Sequence, residues 1–249
     1  MDCRLPADEV HLWVLERGLD PLTFERICES LSADELRRAA RYRVDSARRH
    51  FQTARGCLRA VLGAYSGLSP AAIELAVQKA GKPHLTSRSP VDLRFNISHA
   101  KEAILIAVTG DREVGVDIEF IDREADFELI ARHHFSELET VAWKDWPKEK
   151  RRADFYRLWT CKEAVLKGIG VGIGQSLARV TFQSLASGNG GLKMATYAHD
   201  DGHTGRWQSG RWQVQSLELI EGYAAAVALE SGMNEHLKIV PRPLSELVD

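Results

Sequence analysis

The chain has 249 residues, enough to bury a sizeable core as one large domain or two small ones. Its 44% hydrophobic and 27% charged content is ordinary for a globular protein, and Lys+Arg 33 against Asp+Glu 35 gives no reason to expect a nucleic-acid partner. Cys3, Cys28, Cys57 and Cys161 have no metal-ligand spacing, and neither a signal sequence nor a membrane-length apolar run is present, so a reduced, cytoplasmic setting is expected.

Glu9 to Glu16 (EVHLWVLE) alternates Val10, Leu12 and Val14 against His11, Trp13 and Leu15, the period of a strand. Ser32 followed by Glu35 has the form of a capping box. Helical sequence is expected from there to about Tyr65, with Leu36, Ala40, Phe51, Leu58, Val61 and Leu62 turned inward. Short strands follow at Ile73 to Gln78, Leu93 to Ser98 and Ala103 to Val108. Val114 to Phe120 (VGVDIEF) is the next strand, Ser136 with Glu139 repeats the capping box, and helical sequence interrupted at Pro147 runs to Gly168. Strands at Arg179 to Gln183, Arg211 to Leu217 and Tyr223 to Leu229 complete the order. Ser187 to Gly191 and Asp200 to Gly202 read as surface turns. Gly168 to Gly174 (GIGVGIG) follows a helix and does not open one, so it reads as a helix C-cap and not as a phosphate loop. The residues after Gly232, with Pro241 and Pro243, read as a loosely attached arm.

The second half repeats the first. Phe51 and Phe155 lie 104 positions apart, and so do Val10/Val114, Ser32/Ser136, Glu35/Glu139, Arg48/Arg152, Cys57/Cys161, Ala60/Ala164, Val61/Val165 and Leu62/Leu166. The expected fold is therefore α/β (α+β): two similar halves, each a small, mostly antiparallel sheet packed on a long helix, related by a pseudo-twofold. Their expected bounds are 1–111 and 112–231, with an arm at 232–249. Cys57 and Cys161 fall at equivalent helix positions, which suits small core residues and not nucleophiles.

Period two puts Asp117 and Glu119 on one face of their strand, ~6.6 Å apart along it. On the following helix Glu163 and Lys167 are four residues apart and share a face, with Trp159 one turn below. By itself that stripe is also what a solvated ion pair beside a core tryptophan looks like. Two carboxylates facing one way, however, repel unless a cation lies between them, and a third from a helix would complete a Mg²⁺ site of the kind that binds phosphates. At these positions the first half carries Trp13, Leu15, Arg59 and Gly63, so a symmetric scaffold does not require the acidic set.

Val114-Gly115-Val116-Asp117-Ile118-Glu119 and Trp159-Thr160-Cys161-Lys162-Glu163-Ala164-Val165-Leu166-Lys167 resemble the two best-known motifs of the 4′-phosphopantetheinyl transferases, specifically the larger single-chain (Sfp-type) class. Phe95-Asn96-Ile97-Ser98-His99, Gly81-Lys82-Pro83 and the basic segment Arg48-Arg49-His50-Phe51…Arg55…Leu58-Arg59 add to the resemblance, in family order from about Ser32 to Gly174. The resemblance implies transfer of the phosphopantetheine arm of coenzyme A to a serine of an acyl or peptidyl carrier protein, releasing adenosine 3′,5′-bisphosphate. It implies Asp117, Glu119 and Glu163 as ligands of Mg²⁺, with Mn²⁺ equally suited to oxygen donors. Glu163 would double as general base, and Lys167 would reach a phosphate oxygen. Asn96, Ser98 and His99 would lie near a phosphate of coenzyme A. Gly81, Lys82 and Pro83 would form an anion-binding turn, and Arg38 would serve the nucleotide end. Lys162 is left a structural or surface role, and Trp159 a place beneath the site.

The resemblance also assigns Ile121 to Trp146 to carrier reception, with Arg123, Arg132 and His133 facing an acidic carrier helix. Ordinary helix packing accounts equally well for Phe127, Ile130, Phe135, Trp143 and Trp146 in that segment. The competing readings are a non-catalytic coenzyme A or nucleotide-binding module of the same fold, and a nucleotide-triphosphate phosphotransferase. The latter expects a Gly-x-x-x-x-Gly-Lys-[Ser/Thr] loop that the chain lacks. Both halves are in one chain, so a monomer is expected, without nucleic-acid or membrane partners.

Overall fold

The alternating apolar pattern near the N-terminus builds strand β1 (Glu9–Leu15), and both of its faces are covered. Val10 and Leu12 face a cluster made of strand residues, while Trp13 and Leu15 face a helix. The computed structural model describes residues 5–78, 81–86, 90–144, 146–171, 177–182, 196–197, 212–230 and 238–248. The turns expected at Ser187 to Gly191 and Asp200 to Gly202, and the end of the GIGVGIG stretch, lie outside them.

Helices α1 (Pro21–Cys28), α2 (Ala33–Ala39) and α3 (Asp45–Ser66) follow β1. Next come the β2 (Leu75–Val77) and β3 (Pro83–Leu85) hairpin and the β4 (Arg94–Ala100) and β5 (Ala103–Thr109) hairpin. The second half runs β6 (Val114–Phe120), α4 (Phe127–His134), α5 (Glu137–Lys144) and α6 (Arg151–Ile169). It continues through the short β7 (Val180–Thr181) and β8 (Thr196–Tyr197) to β9 (Trp212–Leu217) and β10 (Tyr223–Glu230). Strand β11 (Lys238–Pro243) and helix α7 (Ser245–Val248) end the described chain.

One sheet has the order β11-β1-β5-β4 and the other β6-β10-β9. The expected duplication is visible in the register. Trp13 and Leu15 pair with Ile106 and Ile104, and Asp117 and Glu119 pair with Ala226 and Ala224. Both capping boxes form: Ser32 with Glu35 ahead of α2, and Ser136 with Glu139 ahead of α5. Each long helix ends at a left-handed glycine, Gly67 at φ 70° and Gly170 at φ 79°. Cys57 and Cys161 are both fully buried, and burial pushes each thiol up to about 12, which leaves them inert core residues.

Three apolar clusters organise the molecule. One lies between α3 and the first sheet, and one between α6, α4, α5 and the second sheet. The third is built only from strand residues such as Leu12, Leu105, Val116, Ile118 and Val227, contributed by both sheets. The sheets meet along β4 and β6, where side chains replace a backbone ladder. Val116 N–H donates to Asn96 Oδ1 at 2.9 Å, and Ile118 N–H donates to Ser98 Oγ at 3.3 Å.

Four expectations change. The helix expected from Ser32 to Tyr65 is two helices. Glu35 pairs with Arg59 at 2.7 Å, whereas residues 24 apart on one straight helix would be separated by about 36 Å. On α2 it is Glu35 and Ala39 that face α3; Leu36 and Ala40 are exposed. The aromatic segment is core: Phe135, Trp143 and Trp146 are buried, and Phe127 and Ile130 pack on them. The arm is not loose, since β11 pairs in parallel with β1 along its length, and Leu244 and Val248 are buried against α3.

Candidate active site

Glycine sets the distance between β6 and α6. A Cβ on Gly115 would stand 1.9 Å from the Ala164 carbonyl oxygen and 2.4 Å from Gly168 N, so only glycine lets the strand lie against the helix. The α6-facing residues of β10 are also small, Ala224, Ala226 and Ala228, where the first half has Ile104, Ile106 and Val108. This close approach carries Asp117 and Glu119 of β6 to Glu163 and Lys167 of α6.

Asp117 is 1% exposed and Glu163 is 3% exposed. Lys167 Nζ lies 2.5 Å from Asp117 Oδ1 and 2.8 Å from Ser98 Oγ, and Ser98 in turn donates to Asp117 Oδ1 at 2.9 Å. The second oxygens, Asp117 Oδ2 and Glu163 Oε2, are buried without a hydrogen-bond partner among the described residues. Glu163 and Glu119 are each pushed up to about 7, first by burial and next by the negative Asp117, with Lys167 opposing. Trp159, expected to pack beneath the site, hydrogen-bonds Glu119 and rests its ring 5.8 Å from Phe155.

Two buried carboxylates and a half-buried third, with two stranded oxygens between them, are short of positive charge. Among the described residues no three such side chains are closed around one point; the charge beside Asp117 is the Lys167 ammonium. All-oxygen donors and excess negative charge fit a hard divalent cation, which Asp117, Glu119 and Glu163 would hold.

His99 follows Ser98 and opens into a cleft of about 1130 Å³ between the halves, lined also by His50, Phe51, Tyr42, Lys101 and Tyr223. Its surroundings push the imidazole down to about 4, with loss of water first, then repulsion from His50 and Lys167. Arg38 lies in a smaller basic recess of about 490 Å³ with Arg37, Arg41 and Tyr42, the last shared with the cleft.

The remaining expected contacts are placed elsewhere or otherwise engaged. Asn96 is buried in the seam with its Oδ1 bonded to β6. Lys82 does not project from its turn: it pairs with Glu113 at 2.7 Å and donates to the carbonyls of Gly168 at 2.8 Å and Val114 at 3.3 Å. It thereby caps α6, while Gly81 takes φ 95° and Pro83 is buried in β3. Lys162 is structural and fully buried, paired with Glu139 and set over the Phe135 ring. Sequence reasoning gave no role to His50, which stands edge-on to His99, although its place one residue before core Phe51 was readable. It also missed that Arg55 and Arg59 serve Glu35.

The family model described as the 4′-phosphopantetheinyl transferase superfamily matches residues 113–228, and the one described as 4′-phosphopantetheinyl transferase, N-terminal, matches residues 20–110. The chain is 38% identical over 170 residues to the 4′-phosphopantetheinyl transferase HetI of Nostoc sp., covering 68% of this chain and 72% of the relative. It is 31% identical over 160 residues to the 4′-phosphopantetheinyl transferase of Bacillus subtilis, covering 64% and 69%. Over 171 residues it is 30% identical to the L-aminoadipate-semialdehyde dehydrogenase-phosphopantetheinyl transferase of Xenopus laevis, covering 64% and 54%. These matches span both halves, and the chain belongs to the 4′-phosphopantetheinyl transferase superfamily, as an enzyme of that class.

Proposed function

We propose that the chain moves the phosphopantetheine arm of coenzyme A onto a serine hydroxyl of a carrier protein, with Mg²⁺ held by Asp117, Glu119 and Glu163. The observation that carries this reading is the buried carboxylate set on facing elements, with two unpartnered oxygens and one adjacent lysine. When bound, the cation would neutralise charge on the pyrophosphate. The serine oxygen forms a bond to the β-phosphorus, and the bond from that phosphorus to the leaving phosphate breaks, releasing adenosine 3′,5′-bisphosphate. The serine proton goes to Glu163, the one carboxylate of the set that is carried by the helix α6. Lys167, which pairs with Asp117, would offer its ammonium to a phosphate oxygen. His99 contacts a coenzyme A phosphate from the cleft side, and Asn96 and Ser98 brace the seam beneath it.

The carrier would meet the second half at an apolar patch other than the core aromatics Phe135, Trp143 and Trp146. Leu129, Leu138 and Val141 are exposed on α4 and α5, with Arg132 and His133 exposed nearby. This combination suits an acidic helix with an apolar anchor.

Intact-mass spectrometry of an unmodified carrier protein, incubated with the enzyme, coenzyme A and Mg²⁺, tests the reading. A gain of one phosphopantetheine arm is expected, lost with EDTA and lost in Asp117→Ala and Glu163→Gln. Transfer that survives EDTA, or near-normal turnover in either variant, would remove the metal assignment. No gain on carriers from fatty-acid, polyketide and peptide synthesis would remove the proposed acceptor.

A further inference from the structure

His50 takes no part in the chemistry above, yet it is the residue through which the first half's long helix reaches His99. The two imidazoles meet edge to face with ring centroids 4.5 Å apart, and both line the cleft between the halves. His50 Nε2 is buried and has no hydrogen-bond partner among the described residues. A buried histidine held for structural reasons normally has its nitrogens bonded, as His11 does with Tyr65 at 2.6 Å and Glu9 at 3.1 Å. No such bond fixes His50 through Nε2, and the ring that packs against it is His99.

His99 has much to gain from such a neighbour. It borders the cleft at the last position but one of β4, two residues before Lys101, whose φ of 49° makes the hairpin turn. A neutral imidazole offers one N–H and one lone pair in the ring plane, so what it presents to a ligand depends on how that plane is held. His50 bounds the ring from α3, and the Lys167 ammonium lies near enough on the α6 side to repel a proton from it.

We propose that His50 is a positioning residue for substrate binding: it fixes the plane of the His99 ring so that its N–H meets an anionic oxygen of coenzyme A. The inference rests on the cleft reading given under the proposed function. It ties the substrate contact made by one half to a helix of that same half, while the reacting groups belong to the other.

Steady-state transfer kinetics on wild type, His50→Ala, His50→Phe, His99→Ala and the His50→Ala/His99→Ala double variant test it. His50→Ala should raise KM for coenzyme A about tenfold, the size of one hydrogen bond lost to a charged group, with kcat within about twofold. His50→Phe keeps an aromatic edge against His99 and should recover most of that loss. The double variant should be no worse than His99→Ala alone, because the first residue acts through the second. If His50→Ala unfolds, the His50→Phe and His50→Gln pair carries the same comparison, Gln showing the raised KM and Phe the recovery. Unchanged KM in His50→Ala, or losses that add in the double variant, would overturn the inference and leave the transferase reading standing. A wild-type chain that neither transfers the arm nor binds coenzyme A would overturn both.

Discussion

At the residue scale the active-site carboxylates give the clearest consequence. Glu163 holds its proton to about 7 in the folded chain, against an ordinary 4.5, because burial and Asp117 both disfavour its charge. The unfolded chain releases that proton at the ordinary value. Between about 4.5 and 7 the native state therefore binds more protons, and stability falls as pH rises. The contribution is fully present below the unfolded value and gone above 7, and Glu119 behaves alike for the same causes. The melting temperature of the metal-free protein should thus drop from pH 5 to pH 8, with a shallower drop in Glu163→Gln. Mg²⁺ competes with these protons, so it should raise the melting temperature more at pH 8 than at pH 5.5. A melting temperature at pH 8 that ignores Mg²⁺ would contradict the three-carboxylate assignment. Asp117, Glu119, Glu163 and Lys167 were legible in the sequence because strand and helix periods alone put them on common faces. Lys82 and Asn96 were not: their partners, the end of α6 and the β6 backbone, lie far along the chain, and no local pattern encodes them.

At the element scale the contact between β6 and α6 matters most. Gly115 and Gly168 read as ordinary members of a strand motif and a helix end, and the sequence shows no sign that they touch. Replacing Gly115 with Ala sets a methyl 1.9 Å from the Ala164 carbonyl oxygen, backbone against backbone, where no side chain can turn aside. Overpacking of this kind costs about 3 kcal/mol or more. For a chain of this size that lowers the melting temperature by roughly 6–12 °C. It should also move Asp117 from Lys167 and Glu163, so activity should fall further than stability. Gly110→Ala is the control, because nothing lies within 4 Å of its added Cβ. Equal melting temperatures for the two variants would refute the close-packing account. The capping boxes, by contrast, were legible from four residues each, since their bonds close within a single turn. The split between α2 and α3 was not, because it depends on Glu35 reaching Arg59 and not on any breaker residue in between.

At the scale of the molecule, the duplication was legible because a constant spacing survives in strand, cap and helix. The last strand was not, because Pro241 and Pro243 argue against a sheet interior. Both fit an edge strand whose one partner is β1, since a proline there leaves no ladder on the far side unmade. The consequence is that the C-terminal residues, remote from the reacting groups, complete the sheet that supports α3 and, through it, His50 and the cleft. Leu244 is fully buried and Val248 nearly so, each worth about 2 kcal/mol of apolar burial, and the paired length of β1 would lose its ladder on one side. Against a net stability of about 5–15 kcal/mol these losses are large. Ending the chain after residue 231 should therefore yield protein that aggregates or melts in two steps, the first half lower, even though every proposed catalytic residue remains. A double Leu244→Ala/Val248→Ala variant at full length keeps the strand and should fall between that truncation and wild type. A truncated chain that melts in one step at the wild-type temperature would show that β11 is an ornament of the sheet and not part of its support.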